Sequence, residues 1–327
     1  MIRQKWYVNI GLIIIGVVAS VIVVEIALRF TPYEELLVRT VNFPSFYFIP
    51  DALTGFDISE NFPPCDLIFS VYKFNVWSNE LGCFDMPYNG EKNYVLLVGD
   101  SFTWGFVPFE DKWGIIVERE SGRRVLKCGV AGYGTKQELL KIKKVVDKIK
   151  NFPEIIIVGY FMNDLENDYL FPQTTVVEAY LIQKTIFKDI ITGERMVYSD
   201  EELIKQMDNY LKYGIPINNK LQLIRAWLRG NSIIYHILRQ FMVLRKIYFK
   251  MGMFEVYPLL SPPEKLLWFK AAFKEHLNNL MDIKHLADKL GSKLLIVITP
   301  ENYQVYGFLK NKFMKDNPRD EFVCEYM

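Results

Sequence analysis

Three stretches of this chain each place a group suited to acyl chemistry directly after a short apolar run. The first is Gly99-Asp100-Ser101-Phe102-Thr103-Trp104-Gly105, the second Gly129-Val130-Ala131-Gly132-Tyr133-Gly134-Thr135, the third Met162-Asn163-Asp164. A serine at a strand-to-helix turn presents its hydroxyl beside its own backbone N–H. A glycine-rich turn leaves amide donors free, and an asparagine adds a side-chain amide. Together these are a nucleophile, Ser101, and the donors of an oxyanion hole, a backbone amide of the glycine-rich turn and the Asn163 side chain, for the tetrahedral intermediate of acyl transfer. Singly, each has an ordinary reading as a cap, a turn former or a loop. Their common order and position single them out. The hydrolase elbow G-x-S-x-G is not met, because Thr103 stands at its last position. Nor do Gly129, Gly132 and Gly134 space as G-x-G-x-x-G.

A serine hydroxyl also needs a base. The chain has three histidines, His236, His276 and His285. Asp282 and His285 have the spacing of an Asp-x-x-His pair, but they fall inside a helical pattern and read as a solvated helix face. His236 and His276 sit in apolar-periodic segments and read as structural. The four cysteines, Cys65, Cys83, Cys128 and Cys324, match no metal spacing. Cys65 and Cys83, in the same segment, either pair or stay free; spacing does not choose. No metal and no organic cofactor is expected.

The elements that must position these groups follow from periodicity. Residues 94–100, 125–130, 154–161 and 293–300 are apolar runs of buried-strand type. Helical spacing covers 137–151 and 264–291. Strands alternating with helices predict an α/β domain with a parallel sheet covered on both faces, here over residues 94–327. A long insertion, about 170–262 and read as helical, separates the third and fourth strands. It contains a capping box, Ser199-x-x-Glu202, and stop signals at Gly214 and Pro216. Residues 29–93, rich in Pro, Phe, Tyr, Asn and Asp, read as irregular structure with short strands.

Residues 7–28 are apolar with one formal charge, Glu25. A helix of that length covers the ~30 Å of a bilayer core and predicts a transmembrane anchor. Residues 1–6 are then a short cytoplasmic tail, with the bulk of the chain on the outer side. Arg3 and Lys5 against Arg29 and Arg39 barely bias that choice. Glu25, about a turn from the end of the span, is expected to reach the membrane surface. From 218 to 254 the basic residues Lys220, Arg225, Arg229, Arg239, Arg245, Lys246 and Lys250 stand with aromatic residues and no acidic one. This pattern fits contact with anionic lipid; its bland alternative is a side subdomain with solvated lysines. Over the whole chain, 39 basic residues against 38 acidic argue against a nucleic-acid partner. A composition half hydrophobic excludes a disordered chain.

These motifs resemble the SGNH (GDSL-type) hydrolases. Gly99-Asp100-Ser101 resembles their first block, Gly132 their second and Asn163-Asp164 their third. The span ending Glu25-x-x-x-Arg29 and Asn79-Glu80-Leu81-Gly82 are similar to membrane-anchored bacterial members. The resemblance implies a three-layer, flavodoxin-like fold with strand order 2-1-3-4-5. It implies Ser101 as nucleophile, with the Ser101 amide, the Gly132 amide and the Asn163 side chain as oxyanion donors. The substrate implied is an acyl ester of a carbohydrate or lipid, cleaved by hydrolysis or transferred to another hydroxyl. Phe161 and Met162 depart from the small residues common before Asn-Asp, and Lys127-Cys128 from an asparagine in the second strand. The family's Asp-x-x-His, which follows the last strand, has no counterpart after residue 300. The expectation adopted is an incomplete reading frame; the alternative is a non-catalytic SGNH-like envelope protein.

Overall fold

The computed structural model of the chain describes residues 2–31, 43–69, 72–189, 191–213, 220–240 and 266–300. The stop signals at Gly214 and Pro216, the basic residues from 241 to 254, Cys324 and everything after 300 lie outside them, as does the His236 side chain. The chain divides into two units. One comprises Met1–Val41, Phe69–Val71 and Asp208–Phe254; the other comprises Asn42–Ile68, Tyr72–Met207 and Glu255–Met327.

The larger unit is built on a four-stranded parallel sheet. Its strands are β5 (Val95–Gly99), β6 (Val125–Lys127), β7 (Ile155–Tyr160) and β12 (Lys293–Ile298), in the order β12-β7-β5-β6. Numbered by their appearance in the chain, that order is 2-1-3-4. The five-strand order expected above has one strand more than the described residues hold. Crossovers between parallel strands need helices, and the sequence supplies them as α3 (Trp113–Ser121), α4 (Thr135–Ile149) and α9 (Phe269–Leu290). The strands are mostly apolar, and β5, β6 and β7 are covered on both faces, whereas Leu295, Ile296 and Ile298 of β12 are exposed. Leu96, Val98, Leu126, Ile156 and Val158 pack with Leu139, Ile142, Val145 and Val146 of α4 and with Ile283 and Ala287 of α9. The alternate residues Val95, Leu97, Val125 and Ile157 meet Trp113 and Val117 of α3 on the other face.

The segment before the sheet forms an antiparallel hairpin, β1 (Phe48–Asp51) with β2 (Gly55–Ile58), and a second two-stranded sheet, β3 (Cys65–Phe69) with β4 (Tyr72–Val76). It is tied to α4 by a buried ion pair, Lys141 Nζ to Asp57 Oδ1 at 2.7 Å. Farther on, it runs beside β6, where Asp85 Oδ2 accepts from the Lys127 amide at 2.9 Å. That path brings Cys83 against Cys128, and the two form a disulfide with Cα atoms 4.4 Å apart. The Cys65–Cys83 alternative is therefore corrected: Cys83 pairs across the sheet edge, and Cys65 is free.

The insertion also differs from its helical expectation. Before α6 (Asp200–Tyr213) come two hairpins, β8 (Thr174–Val177) with β9 (Tyr180–Gln183) and β10 (Thr185–Asp189) with β11 (Glu194–Val197). The β8–β9 turn is Glu178-Ala179, both at positive φ (47° and 74°). A two-residue turn of that conformation normally takes Asn-Gly, so the sequence lacked the usual hairpin signal. Ile182 and Tyr198 pack with Leu203 and Met207 of α6 in a small separate core. The capping box forms as expected: the Ser199 amide donates to Glu202 Oε2 at 2.8 Å, and the Glu202 amide to Ser199 Oγ at 3.3 Å.

The smaller unit contains α1 (Ile2–Leu28), α7 (Lys220–Asn231) and α8 (Ile233–Gln240). Within α1, Asn9–Leu28 is long and apolar enough to cross a membrane, with mean hydropathy 2.8 and no burial inside the protein. Glu25, near the end of this span, meets the start of a second helix. Its oxygens accept from the Ile233 amide at 2.7 Å, the Ile234 amide at 3.1 Å and Ser232 Oγ at 2.9 Å.

Candidate active site

Because β5, β6 and β7 are parallel and adjacent, the segments after them emerge at one end of the sheet, where ligands bind in open α/β folds. At β5, Asp100 caps the short helix α2 (Ser101–Trp104), its Oδ1 accepting from the Phe102 amide at 2.8 Å. This turn is tight enough to demand glycine. A Cβ on Gly99, at φ +153°, would sit 2.1 Å from Thr103 Oγ1, and one on Gly159 of β7 would sit 2.0 Å from it. Thr103 therefore wedges between two strands, and its replacement of the elbow's last glycine is a packing feature. At the far end of α2, Lys112 Nζ donates to the Trp104 carbonyl and lies over the Phe84 and Trp104 rings.

The three sequence-selected loops are connected to one another. Ser101, half-buried, donates from Oγ to Asp100 Oδ2 at 3.4 Å. The Asn163 side chain lies near the same Asp100 carboxylate and favours its ionised form, while Asn163 Oδ1 is buried without a hydrogen-bond partner. The Phe102 and Phe161 rings stack with centroids 4.0 Å apart, joining the first loop to the third. The glycine-rich loop is fixed to β5 by the Val130 amide on the Gly99 carbonyl at 2.9 Å. Asn167 of α5 (Asp164–Tyr169) fixes it again, donating from Nδ2 to the Tyr133 carbonyl at 2.9 Å. Gly132 in this loop has φ +89°, a conformation that L side chains rarely adopt.

Beneath these loops lies a group of buried acids that sequence reasoning did not single out, apart from Asp164 as a loop residue. Asp100, Glu138, Asp164 and Asp168 are all buried. Burial pushes the Asp100 carboxyl up to about 6, although the Phe102 amide and the Asn163 side chain favour its ionised form. Glu138 is held well above the usual carboxylate range by burial and then by Asp100 and Asp168. Asp164 is raised likewise, by burial and then by Glu138 and Asp100. Neither Glu138 oxygen has a hydrogen-bond partner, and Asp164 Oδ1 has none. Asp168 is the satisfied member. It accepts at Oδ2 from Asn279 Nδ2 at 3.0 Å, lies 2.8 Å from His276 Nδ1, and accepts at Oδ1 from the Lys136 amide at 2.9 Å. A clue was present in the Asp164-x-x-x-Asp168 spacing, which puts two carboxylates on one helix face.

The histidines sort themselves by position. His276 is buried with Nδ1 against Asp168 and Nε2 unpartnered, so it is a helix-joining residue that meets Thr135 of α4 and Asp168 of α5. Asp282 and His285 lie on the exposed face of α9. The structure does not bring them to Ser101, whose Oγ bonds to Asp100 and, among the described residues, to no histidine nitrogen. No group of three or more His, Cys, Asp or Glu residues is arranged to hold a metal ion among the described residues.

No protein-family model matches the chain, and no curated protein matches it. Among solved structures, a mutant of the esterase AlinE4 aligns at 30% identity with a TM-score of 0.21. The alignment covers 25% of this chain and 46% of the esterase, so less than half of that enzyme's length is spanned.

Proposed function

We propose that the chain is a membrane-anchored serine ester hydrolase or O-acyltransferase of the SGNH type, acting on an acylated carbohydrate or a lipid ester. The observation that carries this reading is the placement of Ser101, Gly132 and Asn163 after three neighbouring parallel strands, with Ser101 Oγ bonded to Asp100. Ser101 Oγ attacks the acyl carbonyl carbon and gives its proton to a base. The carbonyl electron pair moves onto oxygen, where the amides of Ser101 and Gly132 and the side chain of Asn163 donate to it. The tetrahedral intermediate collapses, the alkoxide leaves and is protonated, and the acyl group remains on Ser101. Water then completes hydrolysis, or a second hydroxyl completes transfer. Asp-x-x-His in the family's position would supply the base.

An outer-side location for the catalytic unit is supported by the Cys83–Cys128 disulfide, since such bonds persist in oxidising compartments. The membrane anchor is supported by the length and hydropathy of Asn9–Leu28, none of which is buried. A fluorophosphonate probe on the full-length protein tests the nucleophile. Wild type labels and Ser101→Ala does not; equal labelling of the two removes Ser101 from the mechanism. The second reading, a non-catalytic SGNH-like envelope protein, rests on the lack of a histidine at Ser101 among the described residues. It predicts that wild type and Ser101→Ala are both unlabelled.

A further inference from the structure

Within the smaller unit, the capping of α8 is unusual for what supplies it. Its first two amides, of Ile233 and Ile234, donate to Glu25, which belongs to the apolar span of α1. Ser232 Oγ donates to Glu25 and accepts from the Tyr235 amide at 3.1 Å. Arg29 follows one turn later, its guanidinium 3.9 Å from Glu25 and 2.9 Å from the Asn231 carbonyl. At a helix start exposed to water, water can satisfy the free amides that no side chain caps. A start placed in hydrocarbon has no water to bond, and each orphan amide there costs several kcal/mol. An anion at the positive end of the α8 dipole, paired on its other side with Arg29, suits a non-aqueous setting.

The surface that results is apolar. A groove of about 400 Å³ runs between the helices, lined by Ser20, Val21, Val24 and Leu28 of α1 and by Ile234, Ile237 and Leu238 of α8. Its polar member, Ser20, spends its hydroxyl on the Gly16 carbonyl at 2.8 Å, so the groove offers an occupant no side-chain hydrogen bond. From Leu28 at the end of the span back to Ser20 is roughly 12 Å of helix rise, well into a bilayer core of ~30 Å. Val21, which lines the groove, is half-exposed, as are Val17 and Val18 one turn before it on α1.

Building on the membrane-anchor reading above, we propose that α8 is a second membrane-inserted helix, capped by Glu25 of α1, and that the groove between them holds a lipid acyl chain. The occupant follows from the lining, which presents hydrocarbon only, and from continuity with a face that lipid already surrounds.

The test uses the full-length chain with Cys65→Ser and Cys324→Ser, keeping the Cys83–Cys128 disulfide, reconstituted into phosphatidylcholine–phosphatidylglycerol vesicles. Single cysteines, Val18→Cys or Leu238→Cys, carry a polarity-sensitive fluorophore, and nitroxide-labelled acyl chains serve as quencher. The expected result is quenching at position 238 comparable to that at 18, lost at 238 alone with Glu25→Ala and partly kept with Glu25→Gln. Quenching at 18 but not at 238 overturns the proposal and leaves the anchor standing. Quenching at neither overturns the anchor as well. Disulfide cross-linking of unlabelled Leu238→Cys between copies would give the groove to a second copy of the chain and overturn the lipid occupant.

Discussion

Lys141 and Glu138 lie one turn apart on α4, both fully buried, and their surroundings treat them in opposite ways. Lys141 points to the approach segment, where Nζ donates to Asp57 Oδ1 at 2.7 Å and the Gly82 carbonyl at 2.9 Å. Burial pulls its ammonium below the ordinary lysine value, and the Asp57 carboxylate works against that pull. Glu138 points toward the loops that hold Ser101, where both its oxygens are unpartnered and its neighbours are other acids. At one end of that turn buried charge is neutralised and two segments of chain are joined. At the other end acids gather whose burial favours their protonated form. Buried groups with strongly shifted titration cluster at functional sites more than elsewhere. The unpaired side is the one beneath the candidate nucleophile.

This contrast can be broken most forcefully on its paired side. Lys141→Met should cost about 3–5 kcal/mol, because it removes the buried cation from Asp57 and leaves that carboxylate the half-exposed Lys144, at 2.8 Å, and the Ile58 amide. The double variant Lys141→Met with Asp57→Leu should recover most of that loss. Denaturant unfolding of the three proteins measures both effects, and equal losses in single and double variants would mean that the pair contributes little.

On the acidic side the sign reverses. A carboxyl raised in the folded state binds its proton more tightly there than in the unfolded chain. Its stabilising contribution is present below the unfolded value and is lost as pH rises through the folded one. For Asp100 that window runs from 3.8 to about 6. Asp100→Asn keeps the α2 cap, since asparagine is an equally good N-cap. It should remove up to about 3 kcal/mol of the fall in unfolding free energy between pH 4 and pH 7. Unfolding curves at four or five pH values measure this, and an unchanged slope would place the Asp100 proton elsewhere. Glu138→Met gives the smallest effect, a gain of about 1 kcal/mol at pH 8 that shrinks toward pH 5, from removing an unsatisfied buried carboxyl. A loss at pH 8 would point to a partner that Glu138 meets only when the site is in use.

Much of the candidate site was readable in the sequence because it depends on neighbours in the chain. A strand, a glycine and a polar residue at the following helix start are one local unit, so Ser101, Gly132 and Asn163 could be selected without coordinates. The pieces that lock the unit are not local. Asp100 meets Asn163 across 63 positions, and Asp168 meets His276 across 108. The latter pair gives a histidine that periodicity marked as structural a definite task, holding α9 to α4 and α5. The Glu178-Ala179 turn escaped notice for a different reason, since two residues that disfavour positive φ are held there by the strands they join.

From the sequence alone came the apolar span, the alternation of buried strands with helices, and three loops with the groups of acyl chemistry, because periodicity and turn chemistry act over a few residues. Only the tertiary structure decided which cysteine Cys83 meets, which acids gather under Ser101, and that Glu25 caps a helix more than two hundred residues away. Those outcomes depend on packing between distant segments, where burial turns an ordinary carboxylate into a costly one and makes its partner, or its lack of one, matter.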